Sequence, residues 1–367
     1  MTAPTALLVF VSVFAPGDKG AIRAFHLNPE TGAMTAAHET ARVPHPFYLA
    51  LSRDHATLYS IESEKFGGDD DTGDEDVVAW RIVDRDGRLE RLGKQSCKGT
   101  ISCYLEADPS GRALLVSNYG TGSVAAFPIK ADGTLAPAVG FVKHAGSSVH
   151  PKRQTKPYAH SIIPAPAAQA GQPQFVYAAD LGTDEIVGYT LDPAQATLVR
   201  NDAGTVKAAP GSGPRHMRFH PAGHTLYVLN ELIGGVTAYG YDPATGRLTP
   251  RQTVPTLPAD FTGDNLAADL KITPDARFLY ATNRGHDTIA IFRLAADGGL
   301  ERVDIVPSGG KGPQNLAITP DGRFLLCANM PSNNLVVFTI DADTGRLTAA
   351  GTPTEIVSPT CIMIVPR

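Results

Sequence analysis

The stretch GSGPRHMRFHPAGHTLYVLNEL at 211–232 carries a guanidinium, an imidazole and a carboxylate, Arg215, His216 and Glu231, in a segment that otherwise reads as two plain β-strands. Similar groups recur elsewhere: His160 in PYAHS, and Arg284 with His286 in NRGHD. Arginine grips a carboxylate or phosphate through two parallel N–H groups. Histidine and glutamate take up and return protons near neutral pH. Gathered at one cleft, these groups suit acid–base chemistry on a small anionic substrate. They also have structural uses: Glu231 paired with Arg215 would brace the fold, and His216 could be spent on loop hydrogen bonds. No Ser or Cys stands with a paired His, so no covalent intermediate is expected.

Residues so far apart in sequence need a framework that brings them together, and internal repetition supplies one. A short apolar strand, a polar turn and a second strand of the type R-F-L-Y-A-T-N recur at 45–63, 100–119, 157–180, 213–231, 265–284 and 312–330. A seventh first strand, SPTCIMIVP, closes the chain, and its missing partner is TALLVFVSVF at 5–14. The turns at 53, 109, 164, 221, 274, 320 and 366 give spacings of 56, 55, 57, 53, 46 and 46. That period suits a four-stranded propeller blade. A third strand such as TIAIFRL and a turn such as DPATGRL follow each pair, and no sustained helical periodicity is present.

The expected fold is therefore all-β: a seven-bladed β-propeller of four-stranded antiparallel blades, one domain over 1–367. One C-terminal strand and the N-terminal strands would complete the last blade and close the ring. In such a blade the start of the first strand and the end of the second share one rim of the central channel. His160, Arg215, His216, Glu231, Arg284 and His286 should meet there, with Asn118, Tyr119, Asp180, Gln314 and Asn329 beside them. His220 and His224 fall at the opposite turns and read as structural.

Composition narrows the partners. The net charge is -5, with 32 basic against 37 acidic residues, which leaves no electrostatic footprint for nucleic acid or an anionic membrane. ALLVFVSVF at 6–14 is too short to span a bilayer and reads as a buried strand rather than a leader. Cys97, Cys103, Cys327 and Cys361 show neither zinc spacing nor a disulfide framework, so buried thiols in the cytoplasm are expected. The acidic tract GGDDDTGDED lacks calcium-loop spacing and is expected to be a solvated insertion in the first blade.

Five segments together, GSSVHPKRQTKPYAHS, AADLGTDEIVGY, GSGPRHMRFHPAGHTLYVLNEL, TPDARFLYATNRGHDTIAIF and GPQNLAITPDGRFLLCANM, resemble the seven-bladed propeller lactonase family over essentially the whole chain. That family includes cycloisomerase-like 6-phosphogluconolactonases and the fungal 3-carboxy-cis,cis-muconate lactonizing enzyme. The resemblance implies catalytic positions at His160, Arg215, Glu231 and Arg284, and substrate contacts at Arg153, Gln154, His216 and His286, with Asn118 added from the rim argument. It implies hydrolysis of an anionic sugar lactone, most readily 6-phosphogluconolactone, with no cofactor and no metal. Muconate cycloisomerisation is the alternative chemistry, and a non-catalytic protein-binding propeller the alternative class. Oligomeric state is left open. Two departures stand out. Tyr158 replaces the first imidazole of the family's P-H-x-H, and Gln314 replaces an arginine in the last internal blade, which removes a cation expected to hold phosphate.

Overall fold

The computed structural model describes residues 6–66, 75–168 and 172–366. Seven antiparallel sheets form a ring, each with four strands on its main path. Blade one runs Leu49–Leu51, Thr57–Glu62, Asp76–Ile82 and Leu89–Ser96. Blades two to six begin with the inner strands Ser102–Ala107, Ala159–Pro164, Pro214–Phe219, Leu266–Ile272 and Pro313–Ile318. In blades three and six the outer edge is split, so that Val206–Lys207 and Thr354–Glu355 extend the fourth strand. Among the described residues the regular structure is strand apart from a 3-10 turn at Gly17–Lys19.

Blade seven closes the ring as expected. Its inner strand, Pro359–Val365, pairs antiparallel with Leu7–Val13, with Leu8 opposite Val365 and Val9 opposite Ile364. The hydroxyls of Ser12 and Thr360 lie 2.8 Å apart across this seam. The run at 6–14 is thus used as a buried strand whose in-register partner comes from the other end of the chain.

A recurring motif binds neighbouring blades. The tyrosine of each R-F-L-Y-type second strand reaches the glycine carbonyl in the next blade's third-to-fourth turn: Tyr59 to Gly133 at 3.0 Å, Tyr227 to Gly298 at 3.0 Å, Tyr280 to Gly345 at 2.8 Å. Gly345 has φ +72°, and a Cβ there would lie 2.3 Å from the Phe278 ring. Only glycine meets both the conformation and the approach. The apolar core lies between the sheets and is built from these second and third strands, which are almost wholly buried.

One irregularity repeats at the channel. The inner strands of blades two to six each carry one extra residue near their start, between Ser102 and Tyr104, Ala159 and Ser161, Pro214 and Met217, Ala267 and Leu270, and Pro313 and Asn315. A β-bulge turns a side chain out of the pleat. The residues within these bulges are Cys103, His160, Arg215 with His216, Ala268 with Asp269, and Gln314.

Of the acidic tract, 67–74 lie outside the described residues. Glu75 accepts the Ile101 amide at 2.8 Å and also that of Ser102, and Asp76 pairs with Lys94 at 2.6 Å.

Candidate active site

The second strands of blades two, four and six end on an asparagine, and that of blade five carries one at its penultimate position; the buried amide ties the sheet together. Asn118 donates to the Cys97 carbonyl at 3.0 Å and to Ser123, Asn283 to the Thr256 carbonyl at 2.9 Å, and Asn329 to the Ser308 carbonyl at 3.1 Å. Asp180 does the same work in blade three, accepting the amides of Tyr158, Gly182 and Thr183 and pairing with His144 at 2.6 Å. The expectation that Asn118 contacts substrate is therefore corrected: it is fully buried and spent on its own blade. Asn329 and Asp180 are struts for the same reason.

The next residue along stands at the strand's exit. These positions are Tyr119, Leu181, Glu231, Arg284 and Met330. Glu231 and Arg284 meet the bulge residues of neighbouring inner strands and form one cluster. Arg284 Nη2 lies 2.9 Å from Glu231 Oε2, and Arg215 Nε lies 2.9 Å from the same oxygen. Arg153 holds Oε1, and His160 Nε2 is 3.7 Å from Oε2. Three guanidiniums thus surround one carboxylate, leaving a surplus of positive charge.

Exposure separates the arginines. The side chain of Arg215 is 2% exposed, with Nη1 turned to the Ala268 carbonyl and to His216 Nε2, whereas Arg153 and Arg284 are 30% and 24% exposed. Arg153 and Arg284 thus face the open mouth, while Arg215 holds Glu231 from the buried side. Gln154 is corrected as a substrate contact. It is fully buried, accepting the His150 amide at 2.9 Å and donating to the Leu181 carbonyl at 2.8 Å. That anchorage holds the loop bearing Arg153.

His286 is also corrected. It turns outward, with Nδ1 2.8 Å from the Thr288 hydroxyl and its ring against Phe261, and among the described residues it makes no contact with the Glu231 cluster. His216 lies inside the channel, 3% exposed, with Nδ1 2.8 Å from Asp269. Asp269 further accepts Lys271 at 2.6 Å, Asn315 at 2.8 Å and the Leu316 amide at 2.9 Å. Sequence reasoning missed Asp269 and Lys271. The available signal was a carboxylate and an ammonium within the otherwise apolar LAADLKI.

Two further groups frame the cluster. Tyr119 stacks on Tyr158 at 4.6 Å and meets the His160 ring edge-on at 5.1 Å, while its hydroxyl accepts from Arg153 at 3.3 Å. Tyr158, which replaces an imidazole of the family pattern, thus serves as part of an aromatic wall. Cys103 Sγ lies 3.5 Å from His160 Nδ1, but burial pushes its thiol up to about 12 and leaves it protonated.

The charge states follow from the surroundings. Burial alone would raise the Glu231 carboxyl, but Arg284, Arg215 and Arg153 outweigh it and hold the group below its ordinary range. Burial, then Arg215 and His216, push the His160 imidazole well below 6.5. Burial and Arg215 bring His216 down to about 3, although Asp269 opposes them. At pH 7 the cluster holds an ionised Glu231 between guanidiniums, with two neutral imidazoles.

A cavity of about 630 Å³ opens at the other end of the channel, with Tyr48, Glu106 and Arg218 at its centre and Arg53, His55, Asp108 and His220 also in its lining. Its central charges neutralise each other, Arg218 lying 3.2 Å from Glu106. It lacks the uncompensated charge of the Glu231 mouth. Among the described residues no group of three or more His, Cys, Asp or Glu is placed to hold a metal ion, and no helix is long and apolar enough to cross a membrane. The exposed large apolar residues, such as Val83, Phe141, Val199, Ile233 and Val357, are scattered over different blades.

Comparison with known proteins agrees with this geometry. Residues 8–364 match the family described as "Lactonase, 7-bladed beta-propeller". The chain is 33% identical over 359 residues to the 6-phosphogluconolactonase of Bacillus subtilis, covering 98% of both chains. It is 31% identical over 313 residues to a 6-phosphogluconolactonase of Formosa agariphila, covering 84% of this chain and 85% of the relative. Among solved structures, the periplasmic gluconolactonase of Pseudomonas aeruginosa superposes with a TM-score of 0.89 at 31% identity, over 98% of this chain and 99% of the other.

Proposed function

Because the chain belongs to the seven-bladed β-propeller lactonase family, we propose that it hydrolyses the ring ester of an anionic sugar lactone, 6-phosphogluconolactone foremost, at the Glu231 mouth. The observation that carries this reading is the cluster itself: one buried carboxylate between three guanidiniums, with a neutral imidazole 3.7 Å away.

The charge states constrain the mechanism. Glu231 and His160 both enter the reaction unprotonated, so neither is poised to begin as the acid. We assign a single proton carrier, His160. Water attacks the lactone carbonyl while His160 takes its proton, and Glu231 stabilises the imidazolium that forms. The oxyanion of the tetrahedral intermediate lies against the N–H groups of Arg153 and Arg284. The ring C–O bond then breaks, and the same proton passes to the departing ring oxygen. Arg215 acts from behind, fixing Glu231. Asp269 holds the Nδ1–H of His216, so that His216 Nε2 is left to accept from Arg215.

The product acid ionises, so turnover is followed as proton release above the spontaneous rate. Wild-type protein is expected to accelerate hydrolysis of 6-phosphogluconolactone, and His160→Gln to lose at least about a hundredfold in kcat. A folded His160→Gln protein with full activity would remove His160 from the mechanism. We also propose a cytoplasmic location, supported by four buried free thiols. Recovery of the protein in the periplasmic fraction of its native cells would contradict it.

A further inference from the structure

We propose that Lys311 and Gln314, beside Arg284, form a subsite for the phosphoryl group of the substrate. The inference rests on the lactonase reading and deepens it. A cavity of about 460 Å³ adjoins the Glu231 cluster at the same mouth, bounded by Arg284, Asp287, Lys311, Gln314 and Met330. Its volume falls within the range of small-molecule sites.

Three polar side chains stand at the edge of this cavity, Arg284, Lys311 and Gln314. Gln314 Oε1 accepts Arg284 Nη1 at 3.2 Å, which leaves the Gln314 N–H groups for another acceptor. Lys311 is exposed, and among the described residues its ammonium has no acidic partner within ion-pair distance. Its backbone is fixed, the amide donating to Ser332 Oγ at 2.7 Å.

Asp287 is the one acid here, and its carboxylate is committed to the loop. Oδ1 accepts the amide of Gly312 at 2.8 Å and that of Gly285 at 3.3 Å. One blade pair earlier, Asp184 does the same for Gly211 and Gly213, each at 2.7 Å. Both aspartates have positive φ, 53° and 59°, and hold the loop leading into the next inner strand. The loops correspond residue for residue: Ser212-Gly213-Pro214-Arg215 in blade four, Lys311-Gly312-Pro313-Gln314 in blade six. The cation has moved three residues upstream. Where blade four places Arg215, blade six places Gln314, and Lys311 supplies the cation at the cavity edge.

The test compares 6-phosphogluconolactone with unphosphorylated glucono-1,5-lactone for wild type, Lys311→Met and Lys311→Arg. Lys311→Met should lower kcat/KM about tenfold for the phosphorylated lactone and leave the other unchanged, with Lys311→Arg close to wild type. Equal effects on both lactones, or none, would overturn the subsite while leaving lactonase activity in place. Calorimetric binding of 6-phosphogluconate separates the two ideas if neither lactone is turned over. Weaker binding by Lys311→Met would then support the subsite although the lactonase reading had failed, and equal binding would overturn it.

Discussion

Glu231 and Arg284 occupy the same position in consecutive blades, one residue past the asparagine near the end of the second strand, and meet at 2.9 Å. A single repeat position therefore supplies both the anion and one of its cations. Arg284 ends a strand and Glu231 directly follows one, so their separation is set by the ring.

The three arginines should respond differently to truncation. Arg153→Ala removes a partly exposed guanidinium, so KM should rise about tenfold or more while stability changes by about 1 kcal/mol. Arg215→Ala uncovers Glu231 inside the protein and should cost about 3–5 kcal/mol in urea unfolding. Matching effects of the two variants on KM and on stability would contradict the layered arrangement.

Asp269→Asn tests positioning through His216. The amide cannot satisfy His216, Lys271 and Asn315 together, and it leaves the Lys271 ammonium without its counter-charge. Stability should fall by about 3 kcal/mol or more. In the protein that remains folded, kcat should drop about tenfold with KM nearly unchanged, because Arg215 loses its backing but the substrate-facing arginines remain. A rise in KM alone would place Asp269 in substrate binding instead.

Stability should depend on pH chiefly through His160 and His216, the two imidazoles most strongly depressed by burial. Both have folded values below the ordinary 6.5, His216 near 3, so the unfolded chain protonates first. Their neutral forms cost nothing above pH ~6.5, and stability falls as pH drops below it, by up to about 1.4 kcal/mol per unit for each histidine. Moving from pH 7.5 to 5.5 should lower the unfolding free energy by about 2–3 kcal/mol, and His216→Gln should remove about half of that slope. Glu231 and Asp269, with depressed folded values, lose their contribution only at lower pH, below about 4, outside this window. A flat profile would show that the imidazoles are not held neutral.

The ring, its closing seam and the mouth that gathers Arg215, Glu231, His160 and Arg284 were legible because they follow from periodicity and strand ends. Finer assignments failed where one residue type serves two ends. Asn118 and Gln154 carry the same amide whether it faces a ligand or a backbone carbonyl, and only the sheet decides. The bulges leave no compositional mark, so the inward turn of Cys103 and Asp269 was hidden inside apolar strands. Arg153 looked secondary because it sits in a loop, yet Gln154 and His150 fix that loop.

The most direct measurement is a double-mutant cycle on lactone hydrolysis with His160→Gln, Glu231→Gln and the pair, each confirmed folded. If one proton carrier works with one supporting carboxylate, each single variant should lose about a hundredfold or more in kcat, and the double variant little beyond the worse single. Full activity in either folded single variant, or losses that multiply in the double, would contradict the account.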